Sequence, residues 1–232
     1  MAGPLDLKKL YSIMQRTPQE KNYPKHVVIN LFPIKTTEEK KKDDFKKILS
    51  VLNEIADVQI EKNIPIMTVS LGKKNDIDQN VLYKYTKEFL KKAIEHKINV
   101  TIFGRWYDLE GQLVEELKKL NNDTNDFDHF FLNLCINYDA HQEIADTSRV
   151  IIRKILMEKT DIDGITPELI KENLYSSYFI PVDLVIEPSE KFSATFLWDS
   201  TDAIIYNINK PVLSISKSDV IKLIDKYAQG SS

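Results

Sequence analysis

The chain has 232 residues, 42% of them hydrophobic and 29% charged, the balance of an ordinary globular protein whose length suits one large domain or two small ones. Its net charge of -3 gives no electrostatic footing for nucleic acid, and its only arginines are Arg16, Arg105, Arg149 and Arg153, few forks for bidentate phosphate binding. A single cysteine, Cys135, excludes an internal disulfide, no apolar run approaches the roughly 20 residues of a membrane span, and no signal-peptide core opens the chain, so a cytoplasmic protein is expected, with peripheral membrane association left open.

Residues 1–24 are polar and carry Pro4, Pro18 and Pro24; they read as an N-terminal arm with one short helix over 5–14. A first strand is expected over 27–31. Phe45, Ile48, Leu49, Leu52, Ile55 and Ala56 then recur at helical spacing on one face. A second strand over 64–71, with Pro65 near its start, precedes a helix carrying Ile77, Val81, Tyr85, Phe89 and Ala93. A third strand over 98–103 leads to a short helix with Leu109, Leu113, Leu117 and Leu120.

The polar stretch 121–128 reads as a loop, 130–138 as a fourth strand with Cys135 buried in it, and 143–157 as a helix. Thr166-Pro167 pairs an N-cap with a first-turn proline. Strands over 182–186 and near 204–206 and a closing helix with Val220, Leu223, Ile224 and Tyr227 complete the body. This alternation argues for a single α/β domain over 25–228, a mostly parallel, roughly six-stranded sheet flanked by helices, with a short tail at 229–232.

Most local motifs are empty. Asn122-Asp-Thr-Asn-Asp-Phe-Asp128 lacks the glycine and bidentate glutamate of a calcium loop, and Asp161-Ile-Asp-Gly164 reads as a turn. His26, His96, His129 and His141 have no zinc-type spacing, and six glycines in the whole chain supply no phosphate-cradling loop. Lys40–Lys42 abut Asp43 and Asp44 and read as an exposed mixed-charge surface, with an anionic-lipid patch as the alternative. In Asn137-Tyr-Asp-Ala-His-Gln-Glu-Ile144, at a strand–helix junction, Asp139 reads as a helix cap, with a ligand site as the competing reading.

The ordered set His26-Val-Val-Ile, Asn99-Val-Thr-Ile-Phe-Gly104, Leu132-Asn-Leu-Cys-Ile-Asn-Tyr138, Pro181-Val-Asp-Leu-Val-Ile186, Phe196-Leu-Trp198 and the late helix over 214–227 resembles the cis-prenyltransferases, the undecaprenyl and dehydrodolichyl diphosphate synthases. The resemblance implies a six-stranded α/β domain, a hydrophobic tunnel for a growing polyprenyl chain, and a dimer. It also implies losses. Leu31-Phe-Pro-Ile-Lys-Thr36 stands where that family carries a magnesium- and diphosphate-holding Asp-Gly-Asn-Gly-Arg-Trp, so Phe32 replaces the essential aspartate. Tyr138-Asp-Ala-His141 replaces a Tyr-Gly-Gly-Arg turn, Glu187-Pro188-Ser189 a shortened arginine-containing stretch, and Ile204 a metal-binding glutamate.

These replacements imply no catalytic residue and no metal ligand in this chain, with magnesium expected in a catalytic partner. Lys35, Lys191 and Ser193 are the remaining candidates for meeting substrate phosphate. The chain resembles the non-catalytic partner subunits of heteromeric cis-prenyltransferases, the Nogo-B receptor type, but ends Lys226-Tyr-Ala-Gln-Gly-Ser-Ser232, without the arginine–x–glycine tail many of those subunits donate. The expectation is a catalytically depleted accessory subunit that pairs with a catalytic homologue as a heterodimer or heterotetramer, through an apolar surface of Phe192, Trp198, Ile204 and Tyr206, the same residues serving as core packing in the competing reading. The alternatives are a stand-alone divergent prenyltransferase or terpene cyclase on an isoprenoid diphosphate, drawing on Asp76, Asp108, Asp139 and Lys35, and a polyprenyl-lipid binding module.

Overall fold

The computed structural model describes residues 22–31, 38–158, 161–177, 179–190 and 193–230. Within them six strands form one wholly parallel sheet in the order β3-β4-β2-β1-β5-β6. The strands are β1 (His26–Asn30), β2 (Ile66–Ser70), β3 (Ile98–Phe103), β4 (Phe130–Cys135), β5 (Leu184–Glu187) and β6 (Ile204–Asn207). The helices are α1 (Glu38–Glu61), α2 (Gln79–Glu95), α3 (Gly111–Thr124), α4 (Ala140–Glu158), α5 (Pro167–Asn173) and α6 (Lys217–Gly230).

Strand alternation sorts side chains to two unequal faces. Val27, Ile29, Met67, Val69, Val100, Leu132, Leu134, Leu184 and Ile186 point to the face covered by α1, α2, α3 and α6, where the larger core sits. The apolar stripe expected on the first helix is that core's centre: Phe45, Ile48, Leu49, Leu52, Ile55 and Ala56 are all buried. The other face carries a smaller core, with Val28, Phe131, Cys135 and Val185 under Tyr138, Phe179 and Phe196. Cys135 is buried, as the sequence implied, and burial pushes its thiol well above the ordinary range.

That second face also holds a buried polar row. The His26 ring reaches the Ile180 carbonyl through Nδ1 at 2.9 Å and Thr68 Oγ1 through Nε2 at 2.8 Å, and Asn133 Nδ2 donates to the same hydroxyl at 3.0 Å. A carbonyl can only accept, so Nδ1 carries the proton and Nε2 accepts from Thr68.

Several boundaries differ from expectation, each for a local reason. β4 stops at Cys135 because Asn137 turns the chain with φ 50. α3 runs through Thr124, into the stretch expected as a loop. There Asn121 Nδ2 donates to the Val100 carbonyl and Thr124 Oγ1 accepts from the Val100 N–H, so polar residues close the flank of β3 instead of facing solvent. Thr166 caps α5 by accepting from Leu169 N, with Pro167 in the first turn, as the sequence indicated. Gly104 adopts φ 96, and a Cβ there would lie 2.6 Å from the Ile136 carbonyl oxygen, so the end of β3 and the exit of β4 meet only through a glycine.

His26 is wholly buried, and desolvation lowers its pKa from 6.5 to about 4. The unfolded chain therefore takes up a proton on this ring below pH 6.5 that the folded chain refuses until pH falls to about 4, and stability drops with falling pH across that window. The loss over the full window is expected to be about 3 kcal/mol. Burial raises the carboxyls of Glu143 and Glu187 above 4.5, which acts with the opposite sign in the lower part of the range. Urea denaturation of wild type and His26→Gln at a series of pH values isolates the imidazole: the difference between them should shrink as the solution is acidified, and a constant difference would assign the ring no titration role.

Candidate functional site

In an open parallel sheet a ligand is expected beyond the carboxyl ends of the strands. Here that edge is organised by Glu187, the last residue of β5, which is completely buried. Its Oε1 accepts from Asn30 Nδ2 at 2.8 Å and from the Ser193 N–H at 2.7 Å; its Oε2 accepts from the Ser193 hydroxyl at 2.7 Å. Asn30 ends β1, and its Oδ1 in turn accepts from Thr195 Oγ1 at 2.7 Å. Burial raises the Glu187 carboxyl more than these donors lower it.

The network continues across the site. Tyr138 OH accepts from the Phe196 N–H at 3.0 Å and donates to Glu143 Oε2 at 2.5 Å, and Glu143 Oε1 accepts from the Tyr175 N–H at 2.8 Å. Burial drives the Tyr138 hydroxyl far above its ordinary pKa, so it remains a donor to the carboxylate. Ala194 and Phe196 sit in the left-handed region with φ 55 and 51, costly for residues with a Cβ by about 1 kcal/mol or more each. The bonds from Ser193 to Glu187 and from Phe196 to Tyr138 hold them there.

A cavity of about 160 Å³ remains at this edge, lined by Lys73, Tyr138, Asp139, Ala140, His141, Ser193 and Ala194. Asp139 opens α4: its Oδ1 accepts from His141 N at 2.9 Å, the capping role expected, and its Oδ2 takes the Lys73 ammonium, which with the backbone donors holds the carboxyl below its ordinary pKa. Lys73 therefore spends its charge on Asp139.

The other acids considered as replacements are also engaged. Asp76 Oδ2 accepts from Lys73 N at 3.0 Å, and Asp108 pairs with Arg105 at 2.9 Å. No group of three or more His, Cys, Asp or Glu side chains gathers among the described residues. Glu187, the buried carboxylate at the strand ends, is surrounded by donors of its own chain, and Asp139 is neutralised by a lysine.

Of the substrate-binding candidates, Ser193 lies at the site but directs both its N–H and hydroxyl to Glu187, while Lys35 and Lys191 lie outside the described residues, as do Phe32 and Phe192. Trp198 and Ile204 are 39% and 41% exposed, and Tyr206 is half-buried with the Lys226 ammonium 4.4 Å from its ring centroid. Asn30 and Thr195 went unread in the sequence, and Glu143 was read only as part of the strand–helix junction over 137–144. Their only signal is a polar residue where a strand or helix face should be apolar.

A second cleft, about 430 Å³, opens between α1 and α2 over a floor of Leu49, Val81 and Tyr85, with Lys42, Lys46 and Lys84 among its lining residues. No helix among the described residues is long and apolar enough to cross a membrane.

Six parallel strands in this order, with a buried polar cluster where the strands end, define an α/β protein of cis-prenyltransferase architecture. The Prenyltransf model, that of the undecaprenyl diphosphate synthases, matches residues 35–232, and the chain belongs to that family. It is 28% identical over 192 residues to a geranylgeranyl-diphosphate-specific tritrans,polycis-undecaprenyl-diphosphate synthase of Picrophilus torridus, covering 76% of this chain and 74% of that one. It is 29% identical over 148 residues to an isoprenyl transferase of Fusobacterium nucleatum, covering 63% and 61%. In fold it is similar to lavandulyl diphosphate synthase from Lavandula x intermedia, crystallised with dimethylallyl diphosphate, at a TM-score of 0.79 and 16% identity over 89% of this chain and 95% of that one. A probable undecaprenyl diphosphate synthase from Campylobacter jejuni gives a TM-score of 0.66 at 20% identity over 88% and 95%.

Removing the Glu187 carboxylate strands the Asn30 amide and the Ser193 N–H in a buried place. Glu187→Ala is expected to cost about 2–4 kcal/mol in urea denaturation, and Glu187→Gln, which keeps one acceptor, clearly less. Equal, negligible losses for both would show that the carboxylate does not organise this edge.

Proposed function

We propose that the chain is a catalytically depleted accessory subunit of a heteromeric cis-prenyltransferase that makes long-chain polyprenyl diphosphate. The observation that carries this reading is Glu187: a buried carboxylate occupies the donors at the strand ends, where a diphosphate would otherwise be met. Bringing an anionic diphosphate against an unneutralised carboxylate costs several kcal/mol. Ionising an allylic diphosphate also demands cationic stabilisation of the leaving group, and the one lysine lining the cavity among the described residues is paired to Asp139.

The named relatives are diphosphate synthases and an isoprenyl transferase, so the family's chemistry belongs in this reading to a homologous partner that carries magnesium and the diphosphate-binding residues. This chain would contribute a folded counterpart and docking contacts. Trp198, exposed on the turn over residues 195–202, is the contact offered to that partner; Phe192 is proposed beside it from sequence alone.

A second reading, a polyprenyl-lipid binding module, is favoured by the 430 Å³ cleft with its apolar floor and lysine-bearing rim.

Purified chain with farnesyl and isopentenyl diphosphates plus magnesium is expected to give no elongation. Adding a catalytic homologue from the same organism should give co-elution on size exclusion and elongation above that of the homologue alone. Trp198→Glu should abolish co-elution with the thermal midpoint unchanged. Turnover by the isolated chain would overturn the proposal in favour of a stand-alone enzyme, and tight binding of a polyprenyl phosphate with no effect on any homologue would favour the lipid module.

A further inference from the structure

The polar row on the second face of the sheet ends on two oxygen atoms that it does not satisfy. Ser70 and Asn133 are wholly buried, and Ser70 Oγ and Asn133 Oδ1 meet no hydrogen-bond partner among the described residues. Leaving one such atom unmet weakens folding by about tenfold.

The direction of the row fixes what the Asn133 oxygen needs. With Nδ1 of His26 donating to the Ile180 carbonyl and Nε2 accepting from Thr68, the Thr68 hydroxyl has spent its proton and accepts from Asn133 Nδ2. Every donor therefore points the same way, and Asn133 Oδ1 is left at the head of the row as a pure acceptor. On the β3 side its neighbour in register is Thr101, whose hydroxyl is given to Asn99 Oδ1 at 3.3 Å. Above it, the Tyr138 hydroxyl is given to Glu143.

Ser70 holds the nearest uncommitted hydroxyl. Thr68 and Ser70 alternate onto this face of β2, and Asn133 and Cys135 onto this face of β4. The register sets Thr68 against Asn133 and Ser70 against Cys135, so Ser70 and Asn133 stand one diagonal step apart on adjacent strands. Strand spacing and rise put their Cα atoms about 8 Å apart. Two such short side chains do not close that diagonal by themselves, whereas one water at about 2.8 Å from each oxygen does.

We propose that a sequestered water molecule bridges Ser70 and Asn133, accepting the Ser70 hydroxyl proton and donating to Asn133 Oδ1. Both groups are neutral, one a donor and one an acceptor. That pair suits water; an anion would be turned away by the amide oxygen, and a hard cation needs more oxygen ligands than these two. Phe103, Tyr138, Ala140 and Phe196 pack over this face and separate the site from solvent. The water carries the row begun at His26 to the carboxyl end of β2, where Ser70 lies in register with Asn30 of the Glu187 network. The inference is independent of the accessory-subunit reading, and neither fails with the other.

Oxygen-17 relaxation dispersion on the full chain counts long-lived internal waters. Ser70→Ala/Asn133→Leu, which makes the site apolar, should lose one of them relative to wild type. In urea denaturation each single variant should lower the folding constant by about tenfold, and the double variant by clearly less than the product, because the two residues share one ligand. Should the Asn133 variants fail to fold, wild type and Ser70→Val carry the test. Nuclear Overhauser contacts from water to the Asn133 side-chain amide should have the sign of a long-lived site in wild type and vanish when the valine methyls fill the place. An unchanged count of internal waters, no long-lived water at Asn133, or fully multiplicative losses would each overturn the proposal. Coupled losses with an unchanged count would assign a direct Ser70–Asn133 hydrogen bond in its place.

Discussion

The Glu187 carboxylate binds together segments that the sequence keeps far apart: the end of β1 through Asn30, the end of β5 through itself, and the turn after it through Ser193. A lone buried carboxylate would be intolerable, and three donors make it a stable fixture. Because Ser193 is held, Ala194 and Phe196 can occupy left-handed conformations, and because Phe196 is placed, its N–H reaches Tyr138 and through it Glu143. The carboxyl edge of the sheet is therefore tied together by a buried carboxyl group of the chain itself.

The two faces of the sheet divide the work. Under α1, α2, α3 and α6 the packing is broad and almost wholly apolar, and ordinary burial stabilises it. The face under Phe179 and Phe196 carries His26, Asn30, Thr68, Asn133 and Glu187 as well as its smaller apolar cluster. Buried polar groups are tolerable only when their hydrogen bonds are made, so this face has fewer acceptable arrangements than the other. It also places the responses to pH there, through a histidine kept neutral and carboxyls raised by burial.

Much of the fold was legible because its signals are local. Each strand is a short apolar run, each long helix carries a stripe at helical spacing, and the Thr166-Pro167 cap is written in adjacent residues. The site was less legible because its partners are distant: Asn30 and Glu187 are 157 positions apart. Glu187 read as the start of a shortened stretch just past the strand over 182–186, whereas the structure makes it the buried last residue of β5. The missed cue was periodic. His26 and Asn30, Thr68 and Ser70, Asn99 and Thr101, and Asn133 fall at alternate positions in runs that read as uniformly apolar, which marks one face of the sheet as polar. Asn121 and Thr124 misled in the other direction, looking like loop residues while serving β3.

Cys135 has no catalytic neighbour and no disulfide to make, yet its position gives it a use. It lies on the polar face with a thiol that burial keeps protonated and inaccessible. A thiol-modifying reagent can reach it only when the layer of Tyr138, Ala140, Phe179 and Phe196 lifts from the sheet. As the chain's only sulfhydryl, it is a natural clock for that breathing: each alkylation records one uncovering of the layer that the Glu187 network holds shut.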